Sequence, residues 1–209
     1  MDAFRRALTA FLLAGLWVAA PVAAAPPERV LVFTKTAKFR HDAIPVAVTT
    51  LQRLVVDEGM AADHTEDARV FTPGNLARYR VVVFASTTGD VLEDAQQAAL
   101  EAFVRKGGGF IGVHAAADTE YDWPWYGQLV GAYFQNHPPG LQSTQVQPEK
   151  DGKPVGPRWP ITDELYNYRA NPRGQVQVIA TVDEREYDGG TMGADHPIAW
   201  CYAFDGGRS

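Results

Sequence analysis

The chain has one cysteine, Cys201, among 209 residues. That excludes a disulfide framework and any cysteine-based zinc site. In the apolar run "IAWCYAF" the thiol reads as a small buried hydrophobe. Clusters of lysine and arginine are absent, and 19 basic residues face 25 acidic ones for a net charge of −6. A nucleic-acid surface, which gains its affinity by neutralising phosphates, is thereby disfavoured, and neutral ligands fit better. Long apolar runs are missing after the first, which extends from Ala7 to about Ala20 behind Arg5 and Arg6 and ends in "PVAAAPP". This is the pattern of a secretory signal over residues 1–24, cleaved before Ala25. An uncleaved membrane anchor is the rival reading, and only then is a membrane a partner. The arginine pair lacks the flanks of a twin-arginine signal and no cysteine follows for lipid attachment, so Sec export to a periplasm or the exterior is expected.

The remaining residues make one domain of ordinary size, taken as 28–209. "RVLVFT" (29–34) and "RVVVFA" (80–85) are apolar on consecutive positions, as parallel strands covered on both faces must be. "IPVAVTTLQRLVVDEG" between them carries Val46, Leu51, Leu54 and Val55 near helical spacing and ends on Gly59. "LEDAQQAALEAFVRKGGG" has acids in its first turn and Arg105 and Lys106 in its last, as the helix dipole prefers, and leads into "FIGVH". Strand and helix alternate as in an open, doubly wound α/β sheet, a three-layer sandwich with functional groups at the carboxyl ends of its strands.

Those ends are "TKTAKFRHD", "STTGD" and "HAAADTEYDWPW", and they are expected to meet at one edge of the sheet. Gly112-Val113-His114-Ala115-Ala116 occupies the place of a nucleophile elbow, the strand-to-helix turn that exposes Ser or Cys in G-x-S-x-G enzymes. A histidine there disfavours acyl transfer through a hydroxyl or thiol, but can act as acid, base or metal ligand. Tyr121, Trp123, Trp125 and Tyr126 lie among Asp118, Glu120 and Asp122, rings and carboxylates suited to a sugar, although some of the rings may equally be core.

"VFTKTAKFRHDAI", "FASTTGD", "GGGFIGVHAAADTEYDWPWYGQLVGAYF", "TDELYNYRANPR" and "GGTMGADHPIAW", in that order, resemble the ThuA-like (trehalose utilisation) family from Val30 to the end. The resemblance implies the fold of class I glutamine amidotransferases, with His114 where the amidotransferase cysteine would stand. It implies a role in uptake and breakdown of trehalose and other disaccharides, with a small-molecule sugar as ligand and, in some settings, a sugar oxidoreductase that makes 3-keto sugars in the same pathway.

The candidate catalytic groups are His114, Asp118 and Asp122. Candidate substrate contacts are His41, Thr88, Asp90, Tyr121, Trp123, Trp125, His137, Asp163, Glu164 and His196. His64 reads as a solvated strand end. His41, His137 and His196 divide evenly between loop packing and the site. The cofactor is open: His114 and Asp118, four apart on a helical turn, could share a divalent metal ion with His41 or His137. "PEKDGKPVGP" reads as a polar, turn-rich connection, shorter than the family passage. "PIAWCYAF" reads as one strand and "DGG" as a hairpin turn with only Arg208 and Ser209 after it, so the chain is expected to be truncated at its C-terminus. Two functions remain, a sugar-processing enzyme using acid/base or metal-assisted chemistry and a non-catalytic sugar-binding module; glutamine amidotransfer is least favoured, since Cys201 lies on a late strand.

Overall fold

Consecutive apolar residues build the centre of the main sheet. The computed structural model describes residues 27–209, so the expected signal 1–24 lies outside the described residues. In β1 (Arg29–Phe33) the side chains alternate between two layers. Val30 and Val32 pack with Val83 against Val48, Leu51 and Val55 of α1 (Ile44–Asp57). Leu31 and Phe33 face the larger cluster with Leu100, Phe103 and Val104 of the helix Asp94–Arg105. Neither face meets water, which is why the strand reads as an unbroken apolar run.

The chain continues through β2 (Ala61–Thr65), α2 (Pro73–Leu76), β3 (Val81–Ala85), α3 (Asp94–Arg105) and β4 (Gly109–Val113). The main sheet runs β4-β3-β1-β2, all four parallel, with a C-terminal hairpin (Ala203–Phe204 and Gly207–Arg208) beyond β4. The order reverses between β1 and β3, and at such a switch point the loops from the strands' carboxyl ends splay apart to make a crevice. β2 escaped the sequence reading because "AADHT" is a polar edge strand with β1 as its one partner; its Asp63 pairs with Arg29 at 2.5 Å. His64 is exposed, its Nε2 2.7 Å from the Thr34 hydroxyl.

Beyond α4 (Pro124–Val130) and β5 (Phe134–Asn136) lies a second, antiparallel sheet that the alternating pattern gave no hint of. It comprises β6 (Gln142–Lys150), β7 (Lys153–Pro154), β8 (Trp159–Asp163), β10 (Gln177–Val182) and β11 (His196–Cys201), while β9 (Asn167–Tyr168) pairs with β5. The "polar connection" is in fact the β6–β7 hairpin, turning at Asp151 and Gly152 with φ of +52° and +72°. An Asp-Gly pair takes positive φ at both positions readily, so the turn itself was legible there.

"PIAWCYAF" is not one strand. β11 belongs to the second sheet, and after Tyr202 the chain enters the main sheet as β12 (Ala203–Phe204). Asp205 and Gly206 turn the hairpin as expected, at φ of +47° and +92°. The strand after that turn is β13 (Gly207–Arg208), paired antiparallel with β12 and parallel with β4. No helix among the described residues is long and apolar enough to cross a membrane.

Candidate functional site

The three expected strand ends meet. Thr36 bridges Thr88, Gly89 bridges Thr119, and the Gly89 amide donates to the Asp118 carbonyl at 2.9 Å. Thr88 is a buried fastener rather than a ligand contact: its hydroxyl donates to the Phe39 carbonyl at 2.7 Å and accepts from the Lys38 amide at 3.3 Å. It thereby holds the loop that carries His41. Gly89 lies at φ +72°, where an added Cβ would meet Lys38 Cγ at 2.9 Å. Gly89→Ala should therefore lower the melting temperature by about 2–8 °C, from roughly 1–2 kcal/mol of left-handed strain. A melt equal to wild type would show that the loop yields freely.

His114 follows β4 directly, at φ +54°. A non-glycine residue in this region is strained, and the strain lifts the side chain off the sheet edge as in a nucleophile elbow. Its Nε2 lies 3.6 Å from Glu164 Oε2 and 3.8 Å from Asp163 Oδ1. Burial holds the imidazole below its ordinary pKa, opposed by the Asp163 charge. His41 stands beside it, ring centroids 4.7 Å apart, with Nε2 3.4 Å from Glu164 Oε2 and 3.4 Å from the Tyr166 hydroxyl. His137 approaches from β5's end, its Nε2 3.9 Å from the same oxygen. The Tyr166 ring packs on His114 at 4.5 Å and on Phe134 at 4.3 Å. Thus His41, His114, His137, Asp163 and Glu164 converge, the last two delivered by the end of β8.

The helical pairing of His114 with Asp118 does not occur. Residues 114–118 form a 3-10 helix, whose three-residue turn sends positions four apart in directions roughly 120° different. Asp118 instead accepts from the Tyr121 hydroxyl at 2.7 Å. Tyr121 is sandwiched, with the Arg169 guanidinium 4.1 Å from its ring centre and Tyr133 at 5.0 Å. Asp90 and Asp122 are exposed. Glu120 is buried and structural: Oε1 accepts from the Val91 and Leu92 amides and Oε2 from Gln97.

The structure places Trp123 and Trp125 apart from the group of residues around His114. They stack on each other at 5.1 Å on the far side of α4, where Trp123 donates to Glu101 and Trp125 to Asp205. Pro124 starts α4 instead of scattering the rings, so Trp123 joins Tyr126 in the core. His196 also lies apart from that group. It is fully buried, with Nδ1 2.7 Å from the Tyr187 hydroxyl and Nε2 2.9 Å from the Tyr166 carbonyl, a core residue that steadies the Tyr166 segment from behind.

The rings that do line the cavity are Phe110, Tyr166, Tyr168 and Trp200. With His114, Asp163 and Glu164 they border a hollow of about 430 Å³ running along β4, within the ~300–1,000 Å³ usual for small-molecule sites. Trp200 was hidden in an apolar strand pattern and only the packing of β11 brings it here. A larger hollow of about 800 Å³ beside β10 is less suited, because its two arginines are already neutralised, Arg158 by Glu186 and Arg185 by Asp183.

A mostly parallel, doubly wound sheet with a strained residue at the turn after β4 gives a three-layer α/β/α fold of the class I glutamine amidotransferase-like kind, here with histidine at that turn. Two solved structures share the architecture. One, from Bacteroides uniformis and described as ThuA-like, is 24% identical, with 87% of this chain and 80% of that chain covered at a TM-score of 0.70. Another so described, from Parabacteroides merdae, is 18% identical, covering 87% and 77% at 0.67. No curated protein matches the chain. The ThuA (trehalose utilisation) family model matches residues 29–209, and the chain belongs to that family.

Proposed function

We propose that this protein is an exported enzyme of carbohydrate utilisation that takes trehalose, a related disaccharide or a 3-keto form into the cleft along β4. The observation that carries the reading is the convergence of an elevated imidazole, His114, with two carboxylates, Asp163 and Glu164, at the mouth of a ring-lined cavity. Tyr166, Tyr168 and Trp200 offer apolar faces to a pyranose, and the carboxylates accept from its hydroxyls. Turnover needs the ring nitrogen of His114, whether it moves a proton itself or ligates an ion that polarises the bond. Membership of a trehalose-utilisation family supports the substrate class.

The test is a screen of the full chain against trehalose, sucrose and their 3-keto forms, with and without divalent ions. His114→Gln is expected to abolish turnover while sugar binding by calorimetry stays within a few-fold. Binding with no turnover by wild type would replace the enzyme with a binding module; no binding of any of these sugars would remove the sugar reading.

Export is proposed from the pattern of residues 1–24. The protein recovered from a bacterial host is expected to begin at Ala25 in the periplasmic fraction. An intact Met1 in the membrane fraction would mean an anchor.

A further inference from the structure

The arrangement around Glu164 has a feature that neither acid/base work nor sugar binding requires. Three imidazole nitrogens surround one carboxylate oxygen: Nε2 of His41, His114 and His137 lie 3.4, 3.6 and 3.9 Å from Glu164 Oε2. All are longer than the hydrogen bonds a carboxylate makes with ring N–H groups. Among the described ion pairs Glu164 has histidines alone as partners, with no lysine or arginine to balance its charge. His41 and His114 are largely buried, with 10% and 20% of their side chains exposed.

Two further details bear on the missing partner. His137 Nδ1 lies 2.7 Å from the Pro138 carbonyl, which only accepts, so Nδ1 donates there and Nε2 is the ring nitrogen left facing Glu164. His41 Nδ1 is buried with no hydrogen-bond partner among the described residues, and such orphans are few in folded chains.

We propose that His41, His114 and Glu164 form a divalent transition-metal site, with His137 at its border and one coordination position open to the cleft. One ligand atom from each of the three lies within 4.8 Å of the others. Bonds of about 2.0–2.1 Å in a tetrahedron put neighbouring ligands roughly 3.4 Å apart, close to the two separations from Glu164. Two imidazoles and one carboxylate suit Zn²⁺, Co²⁺ or Mn²⁺ rather than Mg²⁺ or Ca²⁺, which prefer oxygen alone. Three protein ligands with an open position are the pattern of a catalytic ion, and Asp163 is then the carboxylate left beside it.

The site shares the cleft with the sugar reading, and metal affinity measured without sugar separates the two. The full chain, stripped with chelator and dialysed, is titrated with Zn²⁺, Co²⁺ and Mn²⁺, using competition with a chromogenic chelator and the visible absorption of Co²⁺. One ion per chain is expected, with affinity reduced roughly 100-fold or more in His41→Gln and Glu164→Gln. Asp118→Asn should stay within about three-fold, since Asp118 is held by Tyr121 outside the ligand set. Thermal melts establish that each variant is folded, and His114→Gln replaces either one that is not. Absence of stoichiometric binding of all three ions, or binding that the folded ligand variants leave unchanged, overturns the proposal.

Discussion

Glu120→Ala is expected to destabilise the protein by about 3–5 kcal/mol, a drop of roughly 10 °C or more in melting temperature. The side chain is 2% exposed and makes three hydrogen bonds of 2.7–2.8 Å, two of them to the consecutive amides of Val91 and Leu92. Alanine leaves both amides buried and unpaired, and such groups cost more than the bonds contributed. Glu120 also ties the loop after β3 to the loop after β4, its own amide donating to the Gly89 carbonyl at 3.2 Å. Glu120→Gln keeps one acceptor for the two amides and should lose much less, about 1 kcal/mol.

The pair of variants carries a pH signature. Burial raises the Glu120 carboxyl above its ordinary pKa, against the opposing hydrogen bonds from Leu92 and Val91. Between the unfolded and folded values the native state holds the extra proton, so the contribution is full below the unfolded pKa and is lost as pH rises through the folded one. Chemical denaturation of wild type should show stability falling over that window, and Glu120→Gln should flatten it. Identical pH profiles, or an alanine variant that melts with wild type, would mean that the carboxylate is dispensable.

Trp123→Ala is the second large effect, about 3–5 kcal/mol for a buried tryptophan. Its ring is 9% exposed, stacked between Trp125 at 5.1 Å and Tyr126 at 5.9 Å, and its Nε1 donates to Glu101 at 3.1 Å. The loss opens a cavity between α4 and α3 that the backbone cannot close, whereas Trp125→Ala, at the partly exposed end of the stack, should cost about 1–2 kcal/mol. Both tryptophans face away from His114. Metal and sugar affinity should therefore persist in Trp125→Ala and in whatever fraction of Trp123→Ala remains folded. An unchanged melt for Trp123→Ala, or a selective loss of ligand affinity without loss of stability, would return these rings to the site.

These two residues mark the limit of what local sequence conveys. A stretch of rings and acids around Pro124 has the composition of a sugar site and, equally, of a core element with its polar ends satisfied. Composition does not say which way α4 turns its side chains, and Pro124 at the helix start turns Trp123 inward. Glu120 likewise looks like a ligand group until its neighbours are known, because the amides it caps are almost thirty residues away in the chain.

By itself the sequence determined the doubly wound core, since a strand buried on both faces must be apolar at every position and β1 and β3 are. It determined His114 as the displayed residue, because the end of β4 and the glycines around it are local facts. It also determined Asp205-Gly206 as a turn, through the intrinsic readiness of that pair for positive φ. Only the tertiary structure decided which carboxylates His114 meets. Glu164 and Asp163 reach it from β8 of a second sheet, about fifty residues downstream, and that sheet leaves a weak trace because its strands are partly exposed and polar at many positions. The tertiary structure also separated His41 and His137 from His196. All three stand in loops or at strand ends beside polar residues, and what distinguishes them is whether the packing around each ends in a cleft or in Tyr187 and a carbonyl.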